Sequence, residues 1–239
     1  MGAYFAEHFS HMAIATPYKK TTRALRPSLQ SGMTLVEMAV VVSIVAIVSA
    51  VIVFNYSSFR NNVTIRSLSQ DIALAIRKAQ TYATSVQAID NSTSSTNQFP
   101  GFGISFSTAQ QSSPNTATPS RKQFVLFADI ADPNNPNAEP DGMYNNGGSC
   151  GTPQYGNECV ESFSITTPDQ IVELCTYDDG CFTSGTIDIV FDRPAPDANI
   201  CVASGGSCDI ATSAEIVVRS ISAQYRRIVV WNTGQISVE

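Results

Sequence analysis

Residues 33–54 constrain this chain more than any other stretch. They form a 22-residue run with one charge, Glu37, and three small hydroxyls, Thr34, Ser43 and Ser49. Coiled as an α-helix at about 1.5 Å per residue, the run covers roughly 30 Å, the thickness of a bilayer core. Lys19, Lys20, Arg23 and Arg26 precede it, and the next charge after it is Arg60. That asymmetry predicts an N-terminus on the cytoplasmic side and the remainder of the chain outside. A carboxylate within such a segment costs about 3 kcal/mol on insertion scales. Its presence points to function, the alternative being an interfacial acid that is merely tolerated.

The neighbourhood of Glu37 adds to this. Gly32 stands immediately before the run, Met33 begins it, and Glu37 is fifth counting from Met33. Ser31-Gly32-Met33-Thr34-Leu35-Val36-Glu37 resembles the prepilin signal of type IV pilins and type II secretion pseudopilins. The resemblance implies that a membrane prepilin peptidase cuts after Gly32 and methylates the new N-terminus at Met33. It also implies that Glu37 guides assembly with other pilin subunits on an inner-membrane platform. The physical logic is direct: once cut, Met33 carries an α-amino cation, and Glu37 of one subunit can pair with that amine in its neighbour. An unpaired charge in hydrocarbon is costly, so the pair would set axial register.

Residues 1–32 are polar, basic toward their end, and lack an apolar core of their own, so they do not read as a secretory signal of the small-residue-cleavage type. They read as a leader, expected to be unstructured and removed. It is long for such a leader, and Met12 is an alternative start. Both histidines, His8 and His11, lie in it, so the remaining chain lacks the commonest general base and zinc ligand. The leader holds four cations and one acid, Glu7, so the remainder is more acidic than the whole chain's net −6. Such a surface repels nucleic acid.

Beyond the apolar run, residues 55–89 turn periodic. Phe59, Val63, Ile65, Leu68, Ile72, Ala75, Ile76, Ala79, Ala83 and Val86 mark one helical face. No Pro or Gly interrupts 33–87, which predicts one helix of about 80 Å. Asn55, Asn61 and Asn62 offer a break into two helices as the alternative. The stripe needs a cover, and a downstream sheet is the natural one.

Residues 90–98 form a polar linker, and 90–239 read as a β-rich domain. Strands are predicted at 103–107, 123–128, 162–166, 171–175, 186–191, 200–203, 214–221, 226–231 and 235–238, separated by Gly, Pro, Asn and Asp. Ser222-Ala223-Gln224-Tyr225 and Asn232-Thr233-Gly234-Gln235 read as hairpin turns, so the end of the chain is an antiparallel three-stranded meander. The expected class is α+β, a lollipop whose long N-terminal helix, membrane-spanning in its first half, packs on an antiparallel sheet in its second. The pilin resemblance implies the same shape. Gly101-Phe102-Gly103-Ile104-Ser105-Phe106, Phe124-Val125-Leu126-Phe127-Ala128-Asp129, Ile187-Asp188-Ile189-Val190-Phe191-Asp192 and the ending from Arg227 to Ile236 look similar to the minor pseudopilin H and fimbrial protein T family. The cysteine-bearing insertions depart from that family's pattern.

Cys150, Cys159, Cys175, Cys181, Cys201 and Cys208 all follow the apolar run. Their even number on the outer side suggests disulfides. Six cysteines allow fifteen connectivities, and pairing between sequence neighbours is the expectation. Zinc is the rival, but C-x2-C spacing is missing and no histidine assists. An Asp- and Asn-rich stretch from Asp129 to Gly142 offers oxygen ligands for Ca²⁺ through Asp129, Asp132 and Asp141, without EF-hand spacing. Pro133, Pro136 and Pro140 fit a plain surface loop equally. No other cofactor is expected.

The leading functional reading is a structural subunit: a minor pilin or pseudopilin that co-assembles through its first helix. The binding-module alternative, DNA capture during uptake, has only Arg219, Arg226 and Arg227 as a cationic cluster. Enzymatic chemistry would need an acid pair such as Asp178-Asp179 or a free thiolate, and neither stands out.

Overall fold

A computed structural model of the chain describes residues 32–85, 89, 99–110, 117–131, 139–145, 148–154, 156–178, 180–204 and 207–239. The leader up to residue 31, the linker expected at 90–98, and Val86 lie outside the described residues. Two compact units divide the chain, Met1–Ser49 and Ala50–Glu239.

One helix, α1 (Leu35–Thr84), runs for 50 residues. It passes Asn55, Asn61 and Asn62 without interruption, because asparagine is a mediocre helix former but not a breaker. It stops before the predicted 87. Near its end the hydroxyls of Thr81, Thr84 and Ser85 bond the carbonyls of Arg77, Gln80 and Tyr82, a competition that loosens a helix terminus.

Among the described residues eleven strands follow: β1 (Gly101–Ser107), β2 (Gln123–Asp129), β3 (Cys159–Ser164), β4 (Gln170–Thr176), β5 (Gly180–Phe182), β6 (Thr186–Phe191), β7 (Ala198–Ser204), β8 (Ser207–Ala211), β9 (Ser213–Arg219), β10 (Tyr225–Trp231) and β11 (Ile236–Val238). They make two antiparallel sheets, ordered β3-β2-β1-β6-β7-β8 and β11-β10-β9-β4-β5. The expected closing meander is β9-β10-β11. Strand β3 begins three residues earlier than predicted, since β2 pairs with it as far as Phe127↔Cys159 across a bulge.

The helix and both sheets share one core. Ile65, Ile72, Ile76, Ala79 and Ala83 from α1 join Phe102, Ile104 and Phe106 of β1, Ile187 and Phe191 of β6, Leu174 of β4, and Ile216, Ile228 and Val230 of β9 and β10. The small alanines on the helix let it approach closely. Phe59 and Val63, expected on the covered stripe, are exposed; cover begins at Ile65. The Gln80 side chain donates to Pro196 O at 3.0 Å and Gly234 O at 3.3 Å. Gly234 has φ +77°, and a Cβ there would strike Pro196 O, so this turn requires glycine.

Strands β1 and β2 are buried on both faces. One face meets the core. Over the other lies a strap formed by the described residues of 139–145 and 148–158, whose Tyr144 and Cys150 pack with Ala117, Val125 and Cys159. Phe127 sits over Gly103, where a Cβ would come within 2.8 Å of its ring.

Candidate functional site

At the N-terminus, Gly32, Met33 and Thr34 precede the helix and all are exposed. The Glu37 backbone N–H donates to Thr34 Oγ1 at 3.2 Å, and Met38 N to Thr34 O at 3.2 Å. Thr34 is therefore the N-cap, and Glu37 occupies the third helical position. Thr-x-x-Glu is a capping-box pattern, and an acid in the first turn also suits the positive end of the helix dipole. Sequence reasoning about Glu37 passed over Thr34; the signal was the four-residue spacing itself. Among the described residues the side chains from Met33 to Phe54 are exposed: Leu35 by 86% and Phe54 by 82%. A helix apolar all round and uncovered needs lipid or other helices as its solvent.

In the domain, the segment 142–145 is held by carboxylates. Gly142 N donates to Asp129 Oδ2 at 2.9 Å, Met143 N to Asp141 Oδ1 at 2.9 Å, Tyr144 N to Asp188 Oδ2 at 3.1 Å, and Asn145 N to Glu158 Oε2 at 2.8 Å. Four consecutive amides thus meet four different acids. Glu158 is fully buried, and Asp129 and Asp188 are 2% exposed. Burial pushes Asp129 up to about 7, with Asp141 and Asp192 adding repulsion against the Gly142 N–H. Burial raises Glu158 to about 8 although two backbone N–H groups oppose it, and raises Asp188 to about 6 against Ser105 and Tyr144. Asp129 Oδ1 has no hydrogen-bond partner.

Of the residues expected to bind calcium, Asp129 and Asp141 stand side by side, while Asp132 lies outside the described residues. Glu158, Asp188 and Asp192 were not anticipated. Asp188 sits between two isoleucines in a strand, a pattern that ordinarily sends the acid to solvent.

The six cysteines are bonded as sequence neighbours: Cys150–Cys159, Cys175–Cys181 and Cys201–Cys208. Among the described residues no cysteine is free. Among the described residues one trio of metal-ligating side chains lies within 4.8 Å, Glu173, Cys175 and Cys181, and its sulfurs are in a disulfide. Cys150–Cys159 ties the strap to β3; the other two bridge β4 to β5 and β7 to β8.

Arg219 and Arg227 are exposed and Arg226 half-buried. Arg227 is paired with Glu215 at 2.8 Å, which breaks up the small cationic cluster. Asp178 Oδ2 accepts from Thr212 N and Oγ1, a structural tie; Asp179 lies outside the described residues.

Residues 27–53 match a family model, the prokaryotic N-terminal methylation motif. No curated protein and no solved structure matches the chain. The matched stretch contains Gly32, Met33 and Glu37 and overlaps the first five turns of α1. It marks a membrane-anchored, type IV pilin-like precursor of the kind prepilin peptidase processes.

Proposed function

We propose that this chain is a minor pilin or pseudopilin, a structural subunit of a type II secretion pseudopilus or a type IV pilus. Prepilin peptidase cuts it after Gly32 and methylates Met33. The subunit then enters a filament through its N-terminal helix, with Glu37 against the amine of a neighbour. Its N-terminus starts in the cytoplasm, and its domain lies beyond the inner membrane, where disulfides persist. Other pilin-type subunits and the inner-membrane assembly platform are its partners, and no chemistry of its own is required.

One observation carries this reading. A single acid, fifth from Met33, stands in a helix whose apolar side chains are uncovered on every side through Phe54. Lipid satisfies the apolar surface but not the acid; a stack of identical helices with free N-terminal amines satisfies both. The test is mass spectrometry of the membrane form, which should begin at N-methylated Met33. A functional membrane form that keeps its first 32 residues overturns the reading.

A further inference from the structure

The charges of the β-rich domain are sorted along α1. Two ties fix the direction. Gln80, near the end of the helix, bonds Gly234 O in the β10–β11 turn. Thr64, near the start of the covered part, shares a groove with Thr166 and Thr167 ahead of β4. Lys122 Nζ donates to Thr167 O at 2.7 Å and Asp169 O at 2.6 Å, and Gln170, Arg219 and Tyr225 stand in register across β4, β9 and β10. The β9–β10 turn, residues 220–224, therefore lies at the end of the domain from which the helix continues back to Phe54. Strand β10 separates it from the Gly234 turn by about 20 Å.

That end is basic. Arg121 and Lys122 precede β2, Arg219 closes β9, Arg226 stands near the start of β10, and Arg60 and Arg66 project from α1. The acids beside them are Asp169, which is buried, and Glu239, next to Arg227. The opposite end is acidic: Asp129 closes β2, Asp192 follows β6, Asp197 precedes β7, and Asp178 bonds Thr212 ahead of β9. The basic end also shows apolar groups to solvent, since Ile221 in the turn is 74% exposed and Tyr225 53%. Isoleucine, tyrosine and arginines presented together suit a membrane interface, where aromatic and basic side chains concentrate.

We infer that the basic end of the domain docks on the bilayer that holds α1, with Arg219 and Arg226 against anionic phospholipid headgroups and Ile221 and Tyr225 among them. Distance allows it. Ile65, where cover of the helix begins, lies about 16 Å beyond Phe54 along the axis. Headgroups fill roughly the first 6 Å of that gap, and the turn projects past the strand ends into the remainder. Charge favours it, because each basic side chain is drawn to an anionic surface within a Debye length. A nucleic acid would meet the same charges, but the anchor holds headgroups beside them at high effective concentration. The contact requires only that α1 is anchored in a membrane, so it holds or fails independently of filament assembly.

The experiment places the full chain in lipid nanodiscs with a nitroxide on one added cysteine. The native cysteines are all bonded, so Ser222→Cys in the β9–β10 turn and Thr233→Cys in the β10–β11 turn can each be labelled singly, and both positions are exposed. Collision with a water-soluble nickel complex is measured in discs of phosphatidylcholine alone and in discs with about one-third phosphatidylglycerol. In the anionic discs the Ser222→Cys label should collide at least about threefold less often than the Thr233→Cys label. The protection should vanish in neutral discs, and in about 1 M NaCl, where the screening length is about 3 Å. It should also vanish when Arg219→Gln and Arg226→Gln are combined, with circular dichroism confirming the fold. Equal accessibility of the two labels in anionic discs overturns the inference, as does protection that persists unchanged in neutral lipid or in the double variant. Protection by added duplex DNA but not by anionic lipid also overturns it, in favour of a nucleic-acid partner.

Discussion

Glu158 Oε2 accepts the backbone N–H of Asn145 at 2.8 Å from a fully buried position, while Oε1 takes Ile130 N at 3.0 Å. One carboxyl group therefore joins the strap to the end of β2. Above about pH 8, where Glu158 is ionised, replacing it with an amide keeps the shape and turns an acceptor into a donor facing a donor. Glu158→Gln should lower stability by about 1–3 kcal/mol, the cost of one unsatisfied buried group. Chemical or thermal unfolding followed by circular dichroism measures it; unchanged stability would mean that the strap is held by its disulfide alone.

The buried acids give the domain a pH dependence of definite sign. Glu158, Asp129 and Asp188 are raised to about 8, 7 and 6 in the fold, above the values near 4 of an unfolded chain. The folded state therefore holds more protons between these limits, and stability falls as pH rises. It is full below the unfolded values and lost progressively as each folded value is passed. With chelator present, the midpoint of thermal unfolding should drop between about pH 5 and about pH 9, and Glu158→Gln should flatten the upper part of that slope. A midpoint that climbs with pH would contradict the burial of these groups as free acids.

The three disulfides close loops of similar length, with separations of 9, 6 and 7 residues. Loop entropy alone assigns them contributions within about 0.5 kcal/mol of one another. Position separates them. Each of two bridges joins a buried cysteine, Cys159 or Cys201, to a half-buried one, Cys150 or Cys208, but Cys150–Cys159 holds the strap over Val125, whereas Cys201–Cys208 links β7 to β8, the edge strand it already pairs with. Replacing Cys150 and Cys159 with alanine should cost at least about 1 kcal/mol more than the same change at Cys201 and Cys208. Paired unfolding curves decide it, and equal losses would return the difference to loop entropy.

What the sequence revealed follows from where the information is local. The apolar run, the stripe beginning at Ile65, and the β9-β10-β11 meander each repeat with the period of their element. Strands β5 and β8 do not. Gly180 and Cys181 are exposed, and Ile210 is 82% exposed, so neither strand carries an alternating apolar face. They exist as partners of β4 and β7 in disulfide-closed hairpins. The buried acids were hidden for a related reason. Asp188 occupies an outward position of β6, and only the strap, which joins distant parts of the chain, turns outward into buried.

Thr34 and Glu37 allow the two roles of the membrane acid to be separated. As the third residue of a capped helix, Glu37 contributes to the first turn, and glutamine serves there almost as well. As a counter-charge for the freed amine of a neighbour, only a carboxylate serves. Thr34→Ala removes the acceptor of the Glu37 N–H and should loosen the first turn by about 1 kcal/mol while leaving assembly in place. Glu37→Gln keeps the cap and drops the charge. It should be inserted and cleaved normally, yet its recovery in purified filaments should fall at least about tenfold, since a lost ion pair in an apolar stack exceeds about 1.4 kcal/mol. Immunoblots of the membrane and filament fractions give both quantities at once. If Glu37→Gln assembles normally and Thr34→Ala does not, the acid acts through helix capping, and the register between subunits is set elsewhere.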